Sequence, residues 1–114
     1  MTVIDEVAAE RQRQIDSEGY TAGHDDEHVK GEILLAAVCY AAPDQLYIQD
    51  NRAGCVIFKD PWPWDLSYDK RRYDGNVVMP NWKMGRSKRR ELLVKAAAMI
   101  VAEIDRLDRE IAAS

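Results

Sequence analysis

Residues 18–28 read Glu-Gly-Tyr-Thr-Ala-Gly-His-Asp-Asp-Glu-His and connect two stretches with helical periodicity. The segment holds two glycines, two histidines, four carboxylates and a tyrosine. A connection that serves only solubility does not require so much side-chain chemistry. We therefore predict that a polar turn over residues 18–27 forms one wall of a polar binding site.

The turn follows a first helix, which we predict over residues 3–17, capped by Thr2 and ended by Gly19. Helical spacing places Arg11 on the apolar stripe of this helix, with Gln14 beside it. An unpaired guanidinium is costly to bury, so Arg11 requires either an acidic partner or an anionic ligand. The apolar stripe consists of Ile4, Ala8 and Ile15.

A second helix is predicted over residues 27–42, where Pro43 stops it. Asp25 or Asp26 is its expected N-cap, which is an alternative to a direct binding role for one of them. From Ile33 to Ala42 nearly all of its side chains are apolar. We therefore expect this helix to be the most buried one.

The long segment 43–86 combines short apolar runs with aromatic and basic residues. Residues 46–48 and 55–58 are typical of a small β-hairpin. The remainder is predicted to be an irregular loop, and loops of this length are often functional. Cys39 and Cys55 both lie in apolar surroundings, which predicts reduced thiols in the core.

A third helix is predicted over residues 88–113, capped by Ser87. Its apolar residues step by four and three alternately, which is a heptad seam. The seam either packs on the first two helices or pairs with a second copy, and the length of the helix favours a homo-oligomer through its C-terminal half. The seam comprises Leu93, Ala97, Ile100, Ile104, Leu107 and Ile111.

Together these elements predict one mainly α (α+β) domain over residues 1–114, with a three-helix core, a small β-hairpin and a long aromatic and basic loop. No apolar run is long enough to span a membrane and no signal pattern is present, so we expect a cytoplasmic protein. Neither a metal nor another cofactor is predicted, because the histidines at 24 and 28 lack an HExxH pattern and a cysteine pair.

The net charge of −4 is unevenly distributed. Residues 1–50 carry 3 basic and 11 acidic side chains, whereas residues 59–90 carry 9 basic and 4 acidic ones. A local basic segment in an acidic protein indicates a site for a small anion rather than a nucleic-acid surface. A self-complementary surface that pairs the two halves is the alternative.

The basic segment ends at the predicted start of the third helix, where Lys88, Arg89 and Arg90 oppose the helix dipole. A bound phosphate would turn this arrangement into an anion site. Aromatic rings upstream are expected to stack a base, although each tryptophan alone is equally suited to fill the gap between helices. The predicted ligand-binding residues are Arg11, Gln14, Tyr20, His24, Asp25, Asp26, Trp62, Trp64, Trp82, Lys88, Arg89 and Arg90, and no catalytic residue is predicted.

Several blocks of this sequence resemble a family of small proteins encoded by tailed bacteriophages and prophages. Residues 44–60 and 66–80 depart from the shorter pattern of that family. The resemblance implies a phage protein acting in the cytoplasm of a host bacterium. The blocks that carry it are Ala9–Gln14, Glu18–Tyr20 with His24–Asp26, Trp62–Trp64, Arg89–Ala96 and Ala102–Arg109.

The residues and the resemblance together predict a phage counter-defence protein. It would bind and sequester a nucleotide-type immune signal, such as a cyclic nucleotide or a cyclic ADP-ribose derivative, without turnover. One alternative is a magnesium-dependent nucleotide pyrophosphohydrolase, although the inward carboxylate cluster of such enzymes is missing around Glu32. Another alternative is a protein inhibitor that contacts a host enzyme through its aromatic and basic loop.

Overall fold

The computed structural model describes residues 2–73 and 77–114, and this part of the chain is mainly α-helical with a small antiparallel hairpin. The predicted fold class is confirmed. The helices are α1 (Val3–Glu18), α2 (Ala22–Asp26), α3 (Glu32–Ala41) and α4 (Arg86–Ala113). The strands are β1 (Ile48–Arg52), paired with β2 (Cys55–Lys59), and β3 (Arg72–Tyr73), paired with β4 (Val77–Val78), and 3₁₀ turns cover Leu66–Tyr68 and Asn81–Lys83.

Helix α1 begins and ends at strong local signals. Thr2 accepts the backbone N–H of Asp5 at 3.1 Å and donates its own N–H to the Asp5 carboxylate at 3.0 Å, which is a capping box. Gly19 follows the helix with a φ of 74°, a left-handed conformation that suits glycine. The predicted apolar stripe is wrong, because Ile4 is 77% exposed while Gln14 is buried against α4.

The second helix begins later than predicted, at Glu32 rather than at residue 27, and a separate short helix, α2, lies before it in the predicted polar turn. Thr21 caps the short α2, so helix formation starts within the predicted turn. Gly31 then adopts a φ of 86° immediately before α3, which separates the two helices. Consequently Asp25 and Asp26 lie inside α2 and do not cap the longer helix.

The hydrophobic core lies where α3 and α4 pack together with Tyr20 and Trp62. Alanines on both helices allow their backbones to approach closely. Cys39 is part of this core, and burial raises its pKa to about 11, so its thiol stays protonated at neutral pH. The α3 and α4 core residues are Ile33, Ala36, Ala37, Cys39, Tyr40, Leu92, Ala96, Met99 and Ala102.

Helix α4 starts at Arg86, with Gly85 rather than Ser87 at the N-cap. Ser87 therefore lies in the first turn, and Arg90 falls in the second. The heptad seam turns away from the core, since Leu93 and Ile104 are each 52% exposed. Neither α4 nor any other helix in the described ranges has the length and apolar character to cross a membrane.

The β1–β2 hairpin has a two-residue turn at Ala53 and Gly54, both with positive φ. This short turn extends β1 to Arg52, further than the apolar pattern indicated. Every residue of β2 is exposed, including Cys55. The prediction of Cys55 as a core thiol is therefore wrong, because the hairpin lies on the surface instead of covering the core.

A buried cation holds the long segment before α4. Arg71 is 4% exposed and donates to both carboxylate oxygens of Asp69, at 3.0 and 2.8 Å. It also donates to Asp60 at 2.8 Å and lies 5.7 Å from the ring centre of Trp62. Burial opposes ionisation of Asp60, but hydrogen bonds, from Arg71 above all, outweigh it and lower the pKa of this carboxyl.

Candidate functional site

Tyr20, His24 and His28 form a column of three rings after the end of α1. Gly19 turns the chain sharply, and Thr21 begins α2 by accepting the backbone N–H of His24 at 3.3 Å. The single turn of α2 stacks His24 on Tyr20, with ring centres 4.9 Å apart and planes inclined by 21°. His28 lies 4.3 Å from His24. The polar turn therefore forms a continuous column of rings, in which His24 and His28 are partly exposed and Tyr20 is buried.

Trp64 packs against all three rings of this column. Its ring centre lies 5.5 Å from Tyr20, 5.9 Å from His24 and 5.6 Å from His28. These separations are in the range where aromatic pairs attract one another. Two segments more than 30 residues apart in sequence thus form one four-ring array.

Trp62 supports Trp64 from the core side. It is 8% exposed, lies 5.2 Å from Tyr40 and meets Trp64 edge-on at 5.8 Å. Its indole N–H donates to the Asp65 carbonyl at 3.1 Å, and its backbone N–H donates to Asp60 at 2.9 Å. Trp62 is therefore an anchor for the neighbouring ring and offers little surface to a ligand.

The rings border an open cavity of about 330 Å³, which we call the aromatic pocket. Aromatic faces stack planar groups, and the two carboxylates at the border accept hydrogen bonds from hydroxyl or amino groups. The pocket is thus chemically suited to a flat heterocycle that carries a sugar. It is lined by Glu18, Tyr20, His24, His28, Trp64, Asp65 and Tyr68.

Arg11 and Asp25 hold the ring column in place through hydrogen bonds to Tyr20 and His24. Arg11 donates to Asp25 at 2.7 Å and to the backbone carbonyl of Tyr20 at 2.8 Å. The other carboxylate oxygen of Asp25 lies 2.9 Å from Nδ1 of His24. The side chains of Arg11 and Asp25 are only 11% and 2% exposed. Of the two predicted possibilities for Arg11, an acidic partner or an anionic ligand, the structure shows the acidic partner, Asp25.

The hydrogen bonds assign protons to the pocket side chains. Nδ1 of His28 faces the carbonyl of His24 at 2.7 Å, and Nδ1 of His24 faces a carboxylate, so both Nδ1 atoms carry hydrogen. In its neutral form each ring then has an Nε2 acceptor. Burial, followed by the charge of Glu18, raises the pKa of Tyr20, so its phenol remains a donor.

Tyr40 in α3 positions the loop that completes the pocket. Its hydroxyl donates to the carbonyl of Tyr68 at 3.0 Å and accepts the backbone N–H of Lys70 at 3.1 Å. Burial raises the pKa of Tyr40, so this donor is present throughout the physiological range. The core helix thereby fixes Tyr68 at the aromatic pocket and Lys70 next to it.

A second, smaller depression shares a wall with the aromatic pocket, and we call it the basic recess. Arg13 donates to Glu18 at 3.2 Å, and Lys95 lies 3.5 Å from Glu10. Lys70 takes part in no salt bridge within the described part of the chain. The polar residues of the recess are Arg13, Gln14, Glu18, Tyr20, Tyr40, Lys70 and Lys95.

The structure brings together about half of the predicted site residues. Tyr20, His24 and Trp64 line the aromatic pocket. Trp62 packs behind it, and the Arg11–Asp25 pair lies under the ring column.

The other predicted residues lie outside the aromatic pocket. Arg90 makes two 2.7 Å contacts with Glu6 of α1, Asp26 pairs with Arg109 at 2.8 Å, and Trp82 is 70% exposed. Arg90 at the start of α4 thus pairs with α1, as the self-complementary alternative proposed, whereas Lys88 lies 3.7 Å from Glu91 of its own helix. The predicted residues that do not line the pocket also include Gln14, Lys88 and Arg89.

Four residues that line the pocket were not predicted as site residues, namely Glu18, His28, Asp65 and Tyr68. His28 follows His24 by four residues, and Asp65 directly follows Trp64. Both spacings were visible in the sequence. What could not be read from it is that the 18–28 and 62–68 segments meet.

The aromatic pocket does not carry the ligand set of a metal centre. Over residues 2–73 and 77–114, no three His, Cys, Asp or Glu side chains come together in a way that could hold a metal ion. The groups through which the described part of the pocket can contact a ligand are therefore its rings and carboxylates. Comparisons of the chain with protein-family models, curated proteins and solved structures find no match.

Proposed function

We propose that the protein binds a small nucleotide-type anion in the aromatic pocket and sequesters it without turnover. The observation that carries this proposal is the four-ring array, with ring centres 4.3 to 5.9 Å apart, at the border of a cavity of about 330 Å³. Stacking of one base on an aromatic side chain contributes about 1–3 kcal/mol to binding. A purine or a similar heterocycle is the group that such a surface favours.

The remainder of the ligand has partners on both sides of the rings. Glu18 and Asp65 are suited to accept hydrogen bonds from ribose hydroxyls. A phosphate attached to that ribose would lie at the mouth of the basic recess, because Glu18 and Tyr20 belong to both cavities and the recess itself, about 10 Å³, is too small to admit it. Lys70 thus replaces Arg89 and Arg90 as the proposed phosphate contact.

The proposed ligand class is a host immune signal, either a cyclic nucleotide or a cyclic ADP-ribose derivative. This part of the proposal is supported by the resemblance to bacteriophage proteins. Such a protein would act in the cytoplasm of the infected bacterium by lowering the free concentration of the signal. Sequestration requires tight binding and no chemistry, and the pocket lining contains no serine, cysteine or lysine nucleophile.

The two alternatives receive less support. A pyrophosphohydrolase requires inward carboxylates, but Glu32 accepts the backbone N–H of Lys30 at 2.7 Å at the start of α3. An inhibitor that contacts its target through Trp62 and Trp64 requires exposed rings, and Trp62 is 8% exposed. Neither alternative has an observation in its favour comparable to the aromatic pocket.

Isothermal titration against cyclic AMP, cyclic di-AMP and cyclic ADP-ribose tests the proposal. We expect heat with at least one of these compounds and recovery of that compound intact by chromatography. Trp64→Leu is expected to weaken binding by about 5- to 150-fold, the equivalent of the stacking energy of one base.

Trp82→Leu is the matched control, because Trp82 is an exposed tryptophan outside the pocket. It should bind like the wild type. Absence of heat with all three compounds, or equal affinity of the Trp64 variant and the wild type, would contradict the proposal. Conversion of the compound during the titration would instead support an enzyme.

A further inference from the structure

We propose that two copies of the chain pair through the outward face of α4, in an antiparallel arrangement that sets Ile100 of one copy against Ile104 of the other. The surface involved lies on the flank of α4, about 100° around the helix axis from its buried face, and is separate from the aromatic pocket.

Helix α4 is apolar on two adjacent faces, about 100° apart around its axis. One face, with Leu92 and Met99, is buried in the core. The other is open to solvent, although surface helices of soluble proteins normally present polar residues outside their buried stripe. The exposed fractions on this face are 52% for Leu93, 43% for Ile100, 52% for Ile104, 41% for Leu107 and 69% for Ile111.

The spacing of these residues fits a second copy in one register. The exposed positions follow a heptad repeat, which is the pattern of two helices that pair along their length. In an antiparallel pair centred on residue 102, each seam residue meets another seam residue. The three layers are Leu93 with Ile111, Ala97 with Leu107, and Ile100 with Ile104. A two-fold axis repeats each layer, as a closed dimer requires.

The same register fills an apolar groove between α1 and α4. The groove has a volume of about 200 Å³ and is lined by Val3, Val7, Leu93, Val94 and Ala97, with Arg90 at its side. Leu107 and Ile111 of the second copy come to lie against this groove, because they are the register partners of Ala97 and Leu93. The small side chain of Ala97 leaves room for the larger Leu107. Each copy therefore supplies both a groove and the side chains that enter it.

Side-chain size selects the antiparallel orientation. In a parallel pair each seam residue would meet its own counterpart, so Ala97 would face Ala97 and leave a gap beside the apolar groove. In the antiparallel register Leu107 fills this position in both halves of the dimer. Residues 105–110, with three acidic and two basic side chains, then face residues 94–99 of the second copy.

Light scattering after size-exclusion chromatography tests whether the dimer exists. At tens of micromolar protein, the wild type should have twice the 13.0 kDa mass of the chain. Ile100→Glu/Ile104→Glu should have the monomer mass with an unchanged helical circular dichroism spectrum, because both side chains are exposed. Val56→Glu/Phe58→Glu, on the equally exposed hairpin, should remain dimeric.

Disulfide trapping tests the orientation, in a Cys55→Ser background that removes the exposed native thiol. A mixture of Ile100→Cys and Ile104→Cys chains should give mainly the mixed disulfide, because only residues at matching register come within disulfide distance. A monomeric wild type would overturn the proposal. Preferential self-crosslinking of Ile100→Cys would overturn the antiparallel register.

Discussion

Asp25→Ala is expected to lower the free energy of unfolding by about 3–5 kcal/mol, since it leaves the buried guanidinium of Arg11 without its counter-charge. A typical domain has only about 5–15 kcal/mol of stability, so the variant should be close to unfolding. The His24 ring would also lose its carboxylate partner. Chemical denaturation followed by circular dichroism measures the change.

The neighbouring Asp26 provides a matched control. It also pairs with an arginine, Arg109, but these side chains are 50% and 37% exposed. Asp26→Ala should therefore cost no more than about 1 kcal/mol. Replacing both members of the buried pair, in Arg11→Met/Asp25→Leu, should recover much of the loss, because no uncompensated charge remains. Equal effects of Asp25→Ala and Asp26→Ala would show that the buried pair does not hold the turn.

Arg71→Met is expected to have a similarly large effect, about 3–5 kcal/mol of unfolding free energy. The change would leave Asp60 without its cation, and Asp69, whose side chain is fully buried, with Arg72 at 3.0 Å in place of two arginines. The segment between the hairpin and α4 would then lose the contact that joins its start at Asp60 to its middle at Arg71. Thermal and chemical unfolding of the variant measure this cost.

Arg52→Met is the control for Arg71, because Arg52 pairs with Asp50 on the exposed hairpin. Its cost should stay below about 1 kcal/mol. We also expect Arg71→Met to weaken ligand binding, since Arg71 lies over the ring of Trp62, which supports Trp64. A loss of stability no larger than that of Arg52→Met would contradict the anchoring role.

The ends of α1, which depend on a neighbouring capping residue and a glycine, were predicted from the sequence. Thr2 and Gly19 act on the residues next to them, so α1 was predicted within one residue at its end. The break between α2 and α3 depends on a cap at Thr21 and a left-handed Gly31, and the apolar run that follows obscured both. The buried face of α1 depends on what packs against it, and periodicity alone did not identify Gln14 as its buried residue.

Only part of the candidate site was predicted, because the remainder depends on which segments meet in space. The polar turn was identified by its composition, and Tyr20, His24 and Trp64 do line one pocket. Whether Arg90 is available to a phosphate depends on which carboxylates lie near it in space. Glu6, 84 residues away in the sequence, forms an ion pair with Arg90. Lys70 was not selected, because its place beside the pocket is set by a tertiary hydrogen bond to Tyr40.

The indole N–H signals in a nitrogen-15 correlation spectrum test the central claim most directly. The chain has three tryptophans, and variants assign their three signals. On addition of whichever cyclic nucleotide gives the largest heat, we predict that the Trp64 signal moves most, Trp62 moves less and the exposed Trp82 stays in place. Unchanged signals from all three at saturation, or a shift confined to Trp82, would contradict binding in the aromatic pocket.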